Sequence, residues 1–315
     1  MKGYDIIGDV HGHALPLIAL LKKLGYRERR GYYSHPERKA VFVGDFIDRG
    51  PAQRGVIAIV RPMIDAGAAL GVMGNHEFNA ICYHTAHPQS GTPLRRHTAK
   101  NSRQHQAFLD EYPLAAVSTA ELIDWFRGLP LFLDLDGIRI IHACWHEASL
   151  RLLDPLLTNY NQLNDALLLQ AVAEETPQFE AVETLLKGLE VALPEGSSFR
   201  DKDGASRQRI RTRWWESGAR TYRDIAVVHR QALPQIPNQS LPDRVTASEY
   251  PADAPPVFFG HYWFSGPPAR LTPNAACLDY SVANRGKLTA YRWCGEAQLD
   301  NAHFVSVAHD ETEKQ

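Results

Sequence analysis

A layered α/β fold is what this sequence predicts, on three observations. Five short apolar runs, rich in Val, Ile and Phe, each stop at a polar residue able to ligate a metal. Helical patterns separate the first of these runs. The chain has 315 residues, 44% hydrophobic and 22% charged, which is globular composition. A chain of this size buries roughly 75% of its surface and needs no disulfide to hold a core.

The elements follow in order. The first run, Tyr4 to Gly8, ends at Asp9. Pro16 to Leu24 then sets Leu17, Leu20, Leu21 and Leu24 at helical spacing, with Gly25 as its stop. The second run, Ala40 to Gly44, ends at Asp45. Gly55 to Ala66 is helical through Val56, Ile59, Val60 and Met63, and Pro62 predicts a kink or a break. The third run, Ala69 to Gly74, ends at Asn75. The polar stretch from Tyr83 to Arg103 reads as a loop with a helix over the site. Leu131 to Ile141 reads as a hairpin turning at Asp136-Gly137, and its second strand ends at His142. Leu150 to Gly188 is helical, with Pro177 in the first turn of a helix carrying Phe179, Val182, Leu186 and Leu189. Gln231 to Pro256 contains six prolines and reads as a surface loop. Val257 to Gly260 ends at His261. Ala276 to Val282 and Leu288 to Trp293 close the fold through Asn284-Arg285-Gly286, and the charged tail from His309 is expected to fray. No internal repeat is visible.

Charge and cysteines narrow the function. With 34 Lys and Arg against 36 Asp and Glu, the net charge is −2, so no global basic field draws the chain onto a nucleic-acid polymer. No apolar stretch reaches 18 residues, so no membrane partner is expected. Cys82, Cys144, Cys277 and Cys294 lie far apart without a CxxC pair, and the N-terminus lacks an apolar signal region. Reduced thiols in the cytoplasm are the expectation.

The strand ends carry the chemistry. Gly8-Asp9-Val10-His11-Gly12 places a carboxylate and an imidazole two residues apart on a turn, within reach of one ion. Gly44-Asp45-Phe46-Ile47-Asp48-Arg49-Gly50 and Gly74-Asn75-His76-Glu77 follow, and His142 and His261 complete the set. Turns favour Asn, Asp and Gly but not His, so two histidines among five endings argue for convergence on one site. Zinc-peptidase chemistry is excluded, because His76-Glu77-Phe78-Asn79-Ala80 lacks the second His of HExxH. An HxHxDH hydrolase is excluded by Leu15, and no P-loop or GxGxxG is present.

In order and spacing these motifs resemble the calcineurin-like metallophosphoesterase superfamily. They resemble most its phosphoprotein-phosphatase branch, which holds bacterial Ser/Thr protein phosphatases and diadenosine tetraphosphate hydrolases. That branch shows GDxHG, GDxxDRG and GNHE in this order. The resemblance covers Tyr4 to about His142 and Val257 to Trp293. It implies a four-layer αββα sandwich, and a dinuclear site in which Asp9, His11 and Asp45 hold one metal. Asp45, Asn75, His142 and His261 hold the other, with Asp45 bridging. It implies two divalent cations, Mn²⁺ first, with Fe or Zn²⁺ also suited to mixed N/O ligands. Two such ions ~3.5–4 Å apart can share a hydroxide and clamp a phosphoryl group. His76, not needed as a ligand, is then the general acid, Asp48 its orienting partner, and Arg49 a phosphate-binding fork. Two departures stand out. Gly260-His261-Tyr262-Trp263 lacks the last His of GHxH, as this branch does, and His142-Ala143-Cys144 stands where HGG or HAG is usual. His13 receives no role.

The stretch from Leu150 to about Ala254 has no counterpart among these motifs and is expected to be an insert, a mostly helical cap on a single domain spanning 1–315. Within it Arg207, Arg209, Arg211 and Arg213 alternate along what reads as one strand, followed by Trp214 and Trp215. One reading is a charged edge strand. The other is a phosphate-binding wall in which Arg211 and Arg213 act beside a Trp pair stacking on a base. The activity expected is hydrolysis of a phosphoester or phosphoanhydride, on a phosphorylated protein or on a dinucleoside polyphosphate. No obligate protein partner is implied. A non-catalytic metal-binding scaffold is the reading outside the enzyme class, and the intact ligand set argues against it.

Overall fold

The computed structural model describes residues 3–201, 204–242 and 249–309. Two sheets form its centre. The larger runs in the order Asp279–Tyr280, Lys287–Trp293, Gly3–Ile7, Arg38–Phe42, Ala69–Gly71, with Phe304–Ala308 also paired to Lys287–Trp293. The smaller runs Ala275–Cys277, Val257–Phe259, Ile138–Ile141, Phe132–Leu135. Gly3–Ile7 pairs parallel to Arg38–Phe42, Ile6 opposite Val41, and antiparallel to Lys287–Trp293, Ile6 opposite Tyr291.

The strands are continuous apolar runs because both of their faces are buried. Side chains alternate across a strand, and the core divides accordingly. Ile6, Val41, Ile140, Phe258 and Ala276 meet in a layer with Tyr291 and Trp293 between the two sheets. Their neighbours Ile7, Phe42, Ile141, Phe259 and Cys277 point the other way, into the core that takes up the helices. This is the αββα sandwich.

The first helix, Ala14–Lys23, buries Leu17, Leu20 and Leu21 and ends at Gly25, whose φ of +92° lets the chain turn. The second, Gln53–Asp65, runs on through Pro62. Pro62 falls in the last turn, so the helix gives up one bond, to the Ala58 carbonyl, close to its end, and the Pro62 carbonyl still accepts from the N–H of Ala66 at 3.0 Å. The hairpin Phe132–Leu135 to Ile138–Ile141 turns at Gly137, φ +87°. The third strand is shorter than its apolar run, Ala69–Gly71, and Asn75 opens a helix, Asn75–His84.

The 150–254 segment divides in two. Helices Glu147–Leu153, Asp165–Ala171 and Pro177–Lys187 send Leu150, Leu153, Leu167, Val182 and Leu186 into the main core. Beyond them, short strands around Ile210 gather a separate core with Leu193, Phe199, Tyr222 and Ile225. The central strand of that sheet is Arg209–Thr212, between Glu190–Ala192 and Ala226–Val227, so it is no edge. Arg207 belongs to a different ribbon, paired with Phe199–Arg200. The expected single row of four arginines is therefore broken. Part of the proline-rich loop, 243–248, and the tail from 310 lie outside the described residues.

Candidate metal centre

Every strand ending singled out in the sequence opens onto one point. His11, Asp45 and His76 bring ligand atoms within 4.8 Å of one another, and so do Asp45, His142 and His261. Asp45 belongs to both groups. Its Oδ2 lies 3.5 Å from Nε2 of His11 and 3.4 Å from Nε2 of His142. Asn75 Oδ1 lies 3.0 Å from Nε2 of His142 and 2.8 Å from Nδ1 of His261. Asp9 Oδ2 accepts from the backbone N–H of His261 at 3.0 Å and stands 4.0 Å from Nε2 of His11.

The backbone is bent to make this possible. His11, Asp45, Asp48, Arg49, His261 and Trp263 all have left-handed φ, between +45° and +73°. Each such residue stores about 1–3 kcal/mol of strain, which surrounding contacts must hold. Two glycines allow close approach. A Cβ on Gly260 would sit 1.8 Å from Asp9 Oδ1, and one on Gly74 would sit 2.3 Å from the backbone nitrogen of Asp45.

Glu77 is the brace for this turn. Its Oε2 accepts from the N–H of Asp45 at 2.8 Å and of Gly74 at 2.9 Å, and its Oε1 accepts from Phe46 at 2.8 Å. Burial and the charge of Asp45 push its carboxyl up to about 7. The GNHE string contains it, and the helix-capping position three residues after Gly74 was the signal that could have assigned this work.

The residues present fit divalent cations. Asp9 Oδ1 and His11 Nε2 are buried without a hydrogen-bond partner in this hydrophilic knot, and buried polar atoms of that kind call for a partner. Burial, followed by the charge of Asp279, raises Asp9 well above the usual carboxylate range. A cation would relieve that repulsion. Burial lowers His11, to about 3, and His261, so both imidazoles are neutral and offer a lone pair, as a ligand must. His142 Nδ1 donates to the carbonyl of Val43 at 2.8 Å, which fixes Nε2 toward Asp45. His11 Nδ1 is held likewise against the carbonyl of Ile47 at 3.1 Å.

His76 faces the same point from one side. Its Nδ1 donates to Asp48 Oδ2 at 2.6 Å, leaving Nε2 4.0 Å from Asp45 Oδ2 and 3.4 Å from Arg49 Nη2. Burial alone would lower its pKa, but Asp45 and Asp48 outweigh it, and the net shift is upward. Asp48 is buried, its other oxygen accepts from Nδ1 of His105 at 2.8 Å, and its N–H donates to Gln53 Oε1 at 2.8 Å. Sequence reasoning missed His105, and nothing in its local sequence marks it. The Arg49 guanidinium lies 4.3 Å over the ring of Trp263, which fixes its direction.

The arginines of the insert separate in space. Arg211 lies 5.7 Å from the Tyr262 ring, and its charge, after burial, helps hold His261 low. Its Nη2 is 3.6 Å from Glu190. Arg213 instead meets Glu216 at 3.6 Å, and Arg207 meets Asp201 at 2.8 Å. Trp214 and Trp215 are 2% and 3% exposed and pack on Phe259 and Tyr262. Trp214 Nε1 donates to the carbonyl of Ala143 at 3.0 Å. Stacking of this pair on a nucleotide base is thereby overturned: the rings are core, buried because each has a full set of apolar neighbours. His13 is buried and stands just before the first helix, with no capping hydrogen bond from its side chain.

Fold and strand-end site together define a phosphoesterase of the calcineurin-like kind. The family model for calcineurin-like phosphoesterases matches residues 4–262, and the chain belongs to that family. It is 33% identical over 140 residues, 44% of its length, to a bis(5'-nucleosyl)-tetraphosphatase PrpE (asymmetrical) of Oceanobacillus iheyensis. It is 50% identical over 74 residues, 23% of its length, to one of Halalkalibacterium halodurans. The chain spans 54% and 30% of those relatives. In fold it is similar to a cold-active protein-tyrosine phosphatase of a psychrophilic Shewanella, at 17% identity and a TM-score of 0.51, covering 98% of this chain and 82% of that one. No helix among the described residues is long and apolar enough to cross a membrane.

Proposed function

We propose that the chain is a metal-dependent hydrolase of phosphoester or phosphoanhydride bonds. The observation that carries this is Asp45 Oδ2, held between the imidazoles of His11 and His142 and shared by both ligand groups. Asp9, His11 and Asp45 would hold one divalent cation, and Asp45, Asn75, His142 and His261 the other, Mn²⁺ being the metal proposed. Bound there, two cations would neutralise phosphoryl charge and acidify a water. The remaining work falls to the chain. Arg49, set over Trp263, binds phosphoryl oxygens with its fork. The oxygen of a water that has released one proton to solvent bonds to phosphorus as the bond to the leaving oxygen breaks, and the electron pair of the broken bond goes to the leaving oxygen. His76, as the imidazolium that its raised pKa favours, gives its Nε2 proton to that oxygen, while Asp48 keeps Nδ1 engaged and the ring aimed.

A dinucleoside polyphosphate is the substrate this reading favours, because the relatives matched over 74 and 140 residues are tetraphosphatases by name. A phosphorylated protein is the second reading, supported by the open groove of about 680 Å³ that runs beside His76. The cytoplasm is the compartment proposed, on four free thiols. The helices and small sheet of 150–254 are proposed to act as a cap within one domain, with Arg211 the member of the arginine row at the centre's edge. The deciding experiment is hydrolysis of p-nitrophenyl phosphate, diadenosine tetraphosphate and a phosphopeptide, each with chelator and with Mn²⁺. No Mn²⁺-dependent turnover of any of the three would end the proposal.

A further inference from the structure

Asn75, His76, Arg49 and Arg95 line the 680 Å³ groove, and Arg95 with Asn79, Asn101 and Lys187 also lines a second cavity of about 1170 Å³. Arg95 therefore stands where the two meet. Its Nη1 donates to Asn79 Oδ1 at 2.8 Å and its Nη2 to Gln104 Oε1 at 3.0 Å. Both acceptors are neutral amides. The neighbouring Lys187 is neutralised by Glu183, but no described residue forms an ion pair with Arg95. Burial lowers its pKa, the mark of a cation short of water, and the charges of Asp48 and Glu183 offset that only in part. A purely structural tie between the Asn75–His84 helix and Gln104 would be made more cheaply by a neutral side chain. A guanidinium fixed by two bonds to neutral amides, half-buried and without an ion pair among the described residues, is a preorganised anion receptor in a groove wall.

We propose that Arg95 is a second anion subsite, binding the phosphate next to the one cleaved at Arg49 and His76. The substrate class is then a polyphosphate chain, as in a dinucleoside polyphosphate, rather than a lone phosphomonoester. This deepens the hydrolase reading above and rests on it.

The test compares substrates with one and several phosphates. In Arg95→Ala the ratio of kcat/KM for diadenosine tetraphosphate to that for p-nitrophenyl phosphate should fall about tenfold, through KM, as loss of a charge-assisted contact requires. Arg95→Lys should recover part of it. Binding gives an independent readout. By calorimetry on the Mn²⁺-supplemented protein, the preference for methylenediphosphonate over methylphosphonate should shrink by a similar factor in Arg95→Ala. A wild-type ratio and a wild-type preference in a variant of unchanged Tm overturn the subsite. So does an equal loss with both substrates, which would mean that Arg95 serves the cleaved phosphate or the fold. Absence of turnover in the wild type would instead strike the hydrolase reading, and the calorimetric comparison would still decide the subsite.

Discussion

Nδ1 of His76 lies 2.6 Å from Oδ2 of Asp48, and this pairing decides which nitrogen faces the metal ligands. A carboxylate only accepts, so Nδ1 keeps a proton at all times, and Nε2, turned toward Asp45, carries the second proton of the imidazolium. His76→Asn should cut kcat by ~10²–10⁴ while leaving metal content near wild type, because the ligand set proposed above consists of six other side chains. Metal analysis alongside kinetics checks this. Metal lost in step with activity would make His76 a ligand.

Asp48 has a second anchor in His105, 2.8 Å from its other oxygen. His105→Ala frees that oxygen and lets the Asp48–His76 pair turn. The expected outcome is a fall in kcat of about 10-fold, the low end for groups that orient a functional imidazole, with KM and metal content little changed. In Asp48→Asn the further loss of His105 should have almost no added effect, since the two act through one path. Full additivity in that double variant would separate His105 from the acid.

Asp45 is common to both ligand groups, so Asp45→Asn should bind metal worse than Asp9→Asn or His261→Ala. Removing metal should also loosen the wild-type fold. Asp9 is held far above its usual range by burial and by Asp279, and a cation offsets that repulsion. At a hundredfold excess over Kd a bound ligand contributes about 2.7 kcal/mol. Stripping with a chelator should then lower Tm by several degrees, and Mn²⁺ should restore it. A Tm blind to chelator, with Asp45→Asn losing no more metal than the other two, would remove the bridging assignment.

What was legible was local. Each strand run and the residue that ends it are contiguous, and alternation across the sheet follows from the strand period. The expected ligand residues could thus be named from sequence, and His11, Asp45, His142 and His261 do come together, with His76 beside them. His105 could not, because it reaches Asp48 across 57 positions through the Ala99–Gln104 segment. The arginine row misled for a related reason. Alternating residues fit one seven-residue strand or two short ones equally well. The chain chose two, with the Gln208 carbonyl accepting from Leu193 at 2.8 Å between them. The Trp pair gave no sign of whether it faced solvent or the ring of Phe259.

That division of the row makes the last prediction. Arg211 stands by Tyr262 and influences His261, whereas Arg213 is engaged with Glu216. Arg211→Ala should therefore raise KM for a phosphate substrate, and Arg213→Ala should not. Arg211 is half-buried and shared with Glu190 at 3.6 Å, so its net worth to a ligand is smaller than that of a free guanidinium, roughly threefold to tenfold in KM. Glu190→Gln should act in the opposite sense, lowering KM by releasing Arg211. Trp215→Ala serves as the contrast. It removes a ring packed on Phe259 and Tyr262 and should cost ~3–5 kcal/mol of stability. Measured at a temperature where that variant remains folded, its KM should stay near wild type. Equal KM shifts in Arg211→Ala and Arg213→Ala would mean a diffuse field from the small sheet and no contact. A large, specific KM rise in folded Trp215→Ala would return the tryptophans to the substrate side, against their burial.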